Sequence, residues 1–209
     1  AKASKLTVSL RPRGNYLFAS EFFAEEVRRN LIGLYGDKTL YEGGLSVRTT
    51  LDPELQVLAR RALHDGLSRF DHARGYRGAV TNIDISGDWG PPLGRLAGLS
   101  DVPEWRLAVV IEAAKSSAKI GLQPPRLMDG ALSTVREEGA LDSAASKWAL
   151  RGRNISGVLK PGDVIYVEAL PDQPGKFALN QPPEIQGAII AMDPHTGRVL
   201  AMQGGFSYA

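Results

Sequence analysis

The spacing of apolar positions changes character twice along the chain. Phe23, Val27, Leu31 and Leu34 recur every three or four residues, the period of one helix face. Ser20 stands where an N-cap is wanted, Glu21, Glu25 and Glu26 suit the N-terminal half, and Gly36 ends the run. After Gly43-Gly44, the alternation of Leu45, Val47 and Thr49 with Ser46, Arg48 and Thr50 predicts a strand. Asp52-Pro53-Glu54 predicts a helix start, and Leu55, Leu58, Ala59, Ala62, Leu63 and Leu67 carry helical spacing towards Gly75. From Gly78 the period shortens: apolar runs of about five residues alternate with Gly, Pro and Ser clusters. Strands are predicted over Leu107–Ile111, Ala118–Leu122, Val164–Val167 and Lys176–Leu179, with a helical period only at Leu141–Trp148. This predicts a small antiparallel barrel or sandwich. Beyond Pro182-Pro183, two apolar runs flank Asp193-Pro194-His195-Thr196-Gly197 and predict a hairpin that is apolar on both faces. Such a hairpin belongs inside a covered sheet, and no covering element follows, so the chain reads as cut short.

Composition narrows the chemistry. The 209 residues carry a formal net charge of +2 with Lys and Arg spread along the chain, a balance that demands neither nucleic acid nor a membrane surface. Without cysteine, thiolate catalysis, disulfides and cysteine-ligated zinc are excluded. No apolar run approaches the roughly 20 residues of a membrane span, and Ala1–Gly14 lacks the apolar centre of a signal peptide.

One motif looks catalytic. Ser116 and Lys119 in AAKSSAKI have the S-x-x-K spacing of penicillin-reactive serine enzymes. That chemistry needs serine and lysine one helical turn apart, whereas the flanking alternation predicts a hairpin tip in which they face opposite ways. His195-Thr196-Gly197, a degraded K-T-G, reads as a turn. His64, His72 and His195 have no metal-site spacing and read as surface residues. Asp84, Asp88 and Asp101 read as ordinary loop acids. Of Trp89, Trp105 and Trp148, core packing is expected for the last two. Trp89, in the Gly/Pro loop SGDWGPPLG, is expected to be exposed and is the candidate partner-binding residue.

YEGGLSVRTTLDPELQVLARRAL (Tyr41–Leu63) and GAIIAMDPHTGRVLAMQGG (Gly187–Gly205) resemble segments of class A high-molecular-weight penicillin-binding proteins, the bifunctional peptidoglycan synthases, of the 1A branch. FFAEEVRRNLIGLYG (Phe22–Gly36) is similar to the passage that leaves their glycosyltransferase domain. The resemblance implies an α+β, mainly β fold: an OB-like antiparallel barrel flanked by helices and the first strands of a transpeptidase sheet. It implies a linker over 1–43, a strand and helix over 44–77, the inserted OB-like domain over 78–180, and the first transpeptidase hairpin over 181–209. The nucleophile's S-x-x-K lies beyond such a hairpin and the glycosyltransferase glutamates lie before such a linker, so no catalytic, metal or cofactor residues are expected here. The implied setting is the periplasmic part of an inner-membrane-anchored protein. The expected partners are other domains of the same protein, a periplasmic or outer-membrane regulator, or peptidoglycan strands, with no nucleic acid and no membrane contact by this region.

Overall fold

The computed structural model describes residues 19–128 and 130–208. The elements run α1 Glu21–Tyr35, α2 Asp37–Glu42, α3 Pro53–Arg74, β1 Thr81–Asn82, α4 Gly90–Gly94, β2 Trp105–Ala113, β3 Ser117–Leu122, β4 Glu138–Asp142, α5 Lys147–Leu150, a 3-10 turn Ile155–Gly157, β5 Asp163–Ala169, β6 Lys176–Asn180, β7 Ile189–Met192 and β8 Val199–Gln203. They divide into two compact units, one drawn from residues up to Arg61 with Ala188–Gly204, the other from Ala62–Gly187 with the last residues of the chain.

In the first unit, α1 begins at Ser20, whose side chain makes no cap bond, and ends at Gly36 (φ 76°), whose N–H donates to Ile32 O. Phe23 is buried but Leu34 is 74% exposed, so only the first part of the apolar stripe is covered. Asp52 caps α3 as its position predicts, its Oδ1 accepting the N–H groups of Glu54 (3.0 Å) and Leu55 (3.1 Å). β7 and β8 form the expected antiparallel hairpin.

The strand expected over Gly44–Thr50 is not formed; the segment joins no ladder. Its end meets β8 through isolated bonds: Thr50 Oγ1 donates to Val199 O and Asp52 N to Leu200 O. One residue pair further along β8, the Gln56 carboxamide replaces a strand altogether. Its oxygen accepts the Met202 N–H (2.8 Å) and its nitrogen donates to Met202 O (2.9 Å) and to Ala19 O.

In the second unit, β2 pairs antiparallel with β3 and β5, β3 with β4, and β5 with β6, while β4 and β6 run parallel. The ring β5-β2-β3-β4-β6 thus closes on itself as a five-stranded barrel, with β1 appended to β5. A three-strand meander, a helix between third and fourth strands and a parallel third–fifth pairing make the Greek-key connectivity of an OB barrel. Ala108, Val110, Ala118, Ile120, Leu122, Leu141, Ile165, Val167, Phe177 and Leu179 fill it, plugged by Ala149, Leu150, Ile155 and Leu159 from α5 and the turn after it. Each large member contributes roughly 1.5–3 kcal/mol on burial. The stretch Leu141–Trp148, expected to be helical, divides instead: Leu141 belongs to β4, Asp142 accepts the N–H groups of Ala144 and Ala145, and α5 starts at Lys147. An aspartate that caps its own turn ends the strand before a helical period can extend.

Candidate functional site

β2 is buried on both faces. Ala108 and Val110 point into the barrel, while Leu107 (2% exposed) and Val109 (0%) lie outside it and are nevertheless covered. The cover is the segment that precedes β2. Leu93 and Val102 are buried, Gln123 Nε2 donates to the carbonyls of Leu93 (2.9 Å) and Leu96 (2.8 Å), and the Leu107 side chain lies beside Gly98.

Trp89 belongs to this cover and is 9% exposed, which corrects the expectation that it projects into solvent. Gly121 of β3 explains why: a Cβ there would stand 2.6–2.8 Å from the indole, so the missing side chain is the seat of the ring. Arg136 closes the other side with its guanidinium 5.7 Å from the ring centroid, and pairs with both Asp88 oxygens at 2.7 and 2.6 Å. Asp88 also accepts the Gly90 N–H; the Arg136 bonds first and this amide second hold its carboxyl down at about 2. A Gly/Pro loop reads as solvent-exposed because its backbone is turn-like, but here the turn folds a tryptophan back onto a glycine in a strand 32 positions away.

In OB barrels the face of the second and third strands, with the adjoining loops, is the usual seat of oligonucleotides and oligosaccharides. In this chain β3 is the second strand of the ring, and Trp89 occupies its Gly121 position. Beside the cover lies an open groove of about 440 Å³ lined by residues that include Gly94, Gly98, Arg106, Gln123 and Arg126. Arg106 is held by Glu137 through two bonds of 3.0 and 2.7 Å, which lower the Glu137 carboxyl below its ordinary range. A small hairpin rims the groove, tied by Leu127 N–H to Ala131 O and Ser133 N–H to Pro125 O, and it holds Met128 97% exposed.

Where the chain enters and leaves the barrel, one buried carboxylate joins the two segments. Asp71 (1% exposed) accepts from Arg77 Nη1 at 2.6 Å and Gln181 Nε2 at 2.7 Å. Gln181 also donates to Gly75 O and accepts the Arg77 N–H, while Arg77 reaches Pro182 O (2.6 Å) and Glu184 (3.1 Å). The bonds that close the latch join residues 104 to 110 positions apart, and Asp88 and Arg136 are 48 apart, so neither leaves a local signal and sequence reasoning missed both.

The other singled-out residues lie apart from one another. Ser116 is exposed in the β2–β3 turn, and the Lys119 amine is 2.7 Å from Glu138 on the neighbouring strand, so the hairpin reading of AAKSSAKI holds. His195-Thr196-Gly197 is an exposed turn in which Asp193 accepts from His195 N and Thr196 Oγ1, with Gly197 at φ 71°. Asp84 bonds Ser86, and Asp101 accepts from Ser207 and Tyr208. His64 and His72 are not the surface residues expected: both are half-buried, His64 stacked on Phe206 (4.4 Å) and His72 on Trp148 (3.7 Å, 7° between planes). Trp105 is buried against Tyr166 and Phe206, as expected for core packing. Among the described residues no group of acids and histidines is arranged to hold a metal ion, and no helix is long and apolar enough to cross a membrane.

The chain is similar to penicillin-binding protein 1A of Rickettsia prowazekii (strain Madrid E), 36% identical over 192 residues that make up 91% of this chain and 22% of that protein. It is 32% identical to penicillin-binding protein 1A of Neisseria gonorrhoeae over 194 residues, 90% of this chain and 23% of the relative. The crystal structure of penicillin-binding protein 1A from Haemophilus influenzae superposes with a TM-score of 0.69 at 28% identity, over 94% of this chain and 26% of that one. The chain therefore spans about a quarter of the length of these relatives. A family model described as the penicillin-binding protein OB-like domain matches residues 76–185, the stretch that folds into the barrel and its cover. With its ring connectivity and this match together, the chain belongs to the penicillin-binding protein OB-like domain family.

Proposed function

We propose that this chain is the non-catalytic linker and OB-like docking region of a bifunctional peptidoglycan synthase, acting in the periplasm beside an inner membrane. Residues 1–43 and 44–77 lead from the glycosyltransferase, 78–180 form the insert, and 181–209 begin the transpeptidase. The insert presents a surface to a periplasmic or outer-membrane regulator, while the flanking segments position the catalytic domains.

The observation that carries this reading is the Asp71 latch. By tying Gly75 and Arg77 to Gln181, Pro182 and Glu184, it lets the barrel leave and rejoin the chain at one place, the arrangement an inserted accessory domain requires. The cover over the outer face of β2 and β3 supports docking over sugar binding, since Trp89 already occupies the Gly121 position. Trp89 then shapes the docking surface from beneath without touching the partner. Neither Ser116 nor Lys119 takes part in acyl transfer.

Deleting Gly78–Leu179 from the longer protein and bridging the ends with a short flexible linker tests the reading. Fluorescent penicillin should still label the protein, and stimulation by the regulator should disappear. Loss of labelling in a protein that still folds, or retained stimulation, would overturn it. The second reading, a glycan-binding module, is favoured by the 440 Å³ groove with Arg106, Gln123 and Arg126; its mark would be binding of purified glycan strands that Arg126→Ala weakens.

A further inference from the structure

The loop that carries the misleading Ser116 motif takes part in a different feature. The carbonyls of Ala114 and Lys115 accept the N–H groups of Ser156 and Ile155, both at 3.1 Å, which seats the β2–β3 turn against the 3-10 turn that directly follows Arg151-Gly152-Arg153-Asn154. Arg151 adopts φ 46°, a conformation unfavourable for an L residue, and its guanidinium donates to Ala73 O at 2.8 Å, beside Arg74. Lys160 follows directly after Leu159, whose N–H donates to Ile155 O. Three segments far apart in sequence thus bring Arg74, Lys115, Arg151, Arg153 and Lys160 to one end of the barrel, all exposed.

Among the described residues none of these five cations has a carboxylate within ion-pair distance, whereas Arg77, Arg106, Lys119, Arg136 and Lys176 of the same unit each have one. Of the acids near this end, Asp142 is engaged with Lys176 and two backbone amides and Asp163 with the Lys160 N–H and the Asn82 amide, while Glu112 lies exposed on β2 before the turn. A chain of net charge +2 therefore concentrates an excess of cations over acids in one place.

We infer that this end of the barrel is the contact surface for an acidic segment of a partner protein. The inference rests on the docking reading above and names the partner's chemistry. Ala114–Ser117 and Lys147–Lys160 expose no large apolar side chain, so the wedge that adsorption to a membrane uses is missing from these two segments; in the third, the exposed Phe70 ring is faced by the Arg74 guanidinium 4.6 Å from its centroid. Complementary carboxylates would steer association and make it weaken with salt.

The test uses the 209-residue chain and a fluorescein-labelled oligoglutamate peptide, read by anisotropy. Oligolysine peptide, chitotetraose and phosphatidylglycerol vesicles serve as comparison ligands. The peptide should bind, lose affinity as salt rises, and bind about tenfold or more weakly to Lys115→Gln/Arg153→Gln. The control Lys38→Gln/Arg95→Gln should bind like the parent, and unchanged circular dichroism keeps both comparisons clean. Absent binding, equal affinity in the two variants, or preference for vesicles or chitotetraose would overturn the inference. In the longer protein, stimulation that survives Lys115→Gln/Arg153→Gln but not removal of Gly78–Leu179 would leave docking standing and exclude this surface.

Discussion

Two aromatic positions show how a single side chain is set by what lies opposite it. Trp89 has the Gly121 backbone on one side and the Asp88-bound Arg136 on the other, so Trp89→Ala removes a buried ring and leaves a cavity over β3. We expect a loss of about 3–5 kcal/mol in urea unfolding, the range for such truncations; a change under about 0.5 kcal/mol would mean that the cover is not docked. His72 stacks on Trp148 with its Nε2 buried and unpartnered. Burial lowers its pKa from 6.5, opposed by the Asp71 charge. The folded state therefore binds this proton less readily than the unfolded state, so the stability it contributes is whole above 6.5 and is lost as pH falls below that value towards the folded pKa. Thermal midpoints should fall more between about pH 7.5 and 5 in the parent than in His72→Phe, which keeps the stack without the titration. Parallel curves for the two proteins would refute this.

At the scale of elements, the edge of β8 is finished by a side chain. Gln56 offers one donor and one acceptor in the spacing of a peptide group, so it satisfies Met202 on both counts and reaches Ala19 as well, all at 1% exposure. Only glutamine has this pairing with this reach. Gln56→Leu keeps the volume but strands the Met202 N–H and C=O, at about 1–3 kcal/mol for each buried group left unmet. Amide exchange at Met202 should accelerate strongly in that variant and stay close to the parent in Gln56→Glu at low pH, where the protonated acid again donates and accepts. Unchanged protection at Met202 in Gln56→Leu would show that the clamp is incidental.

At the scale of the molecule, closure of the barrel and closure of its two connecting segments are separate events. The ring is completed by β5 with β6, while the segments before β1 and after β6 are held by Asp71. Removing that carboxylate takes one acceptor from the Gln181 amide and one from the Arg77 guanidinium, whose bonds to Gly75, Pro182 and Glu184 remain, so Asp71→Ala should cost about 1–3 kcal/mol. The loss should show first in the protease sensitivity of Arg77 and Glu184, ahead of the barrel strands. Cleavage confined to the strands, with the connections intact, would contradict a latch at this place.

Periodicity alone determined four of the five barrel strands, all but β4, the caps at Asp52 and Gly36, the Asp193–Gly197 turn and the hairpin nature of AAKSSAKI, because each depends on neighbours within a few residues. The quoted segments at both ends made the family legible, and with it the barrel. Tertiary structure alone decided the rest. An alternating run at Leu45–Thr50 forms no ladder because Thr50, Asp52 and Gln56 meet β8 by isolated bonds. A loop tryptophan is buried because a distant glycine leaves room for its ring. The histidines of α3 stack on aromatic rings that the same helix cannot reveal. Spacing reports which face of an element is apolar; which groups from a hundred positions away complete its hydrogen bonds and charges is fixed only when the chain closes on itself.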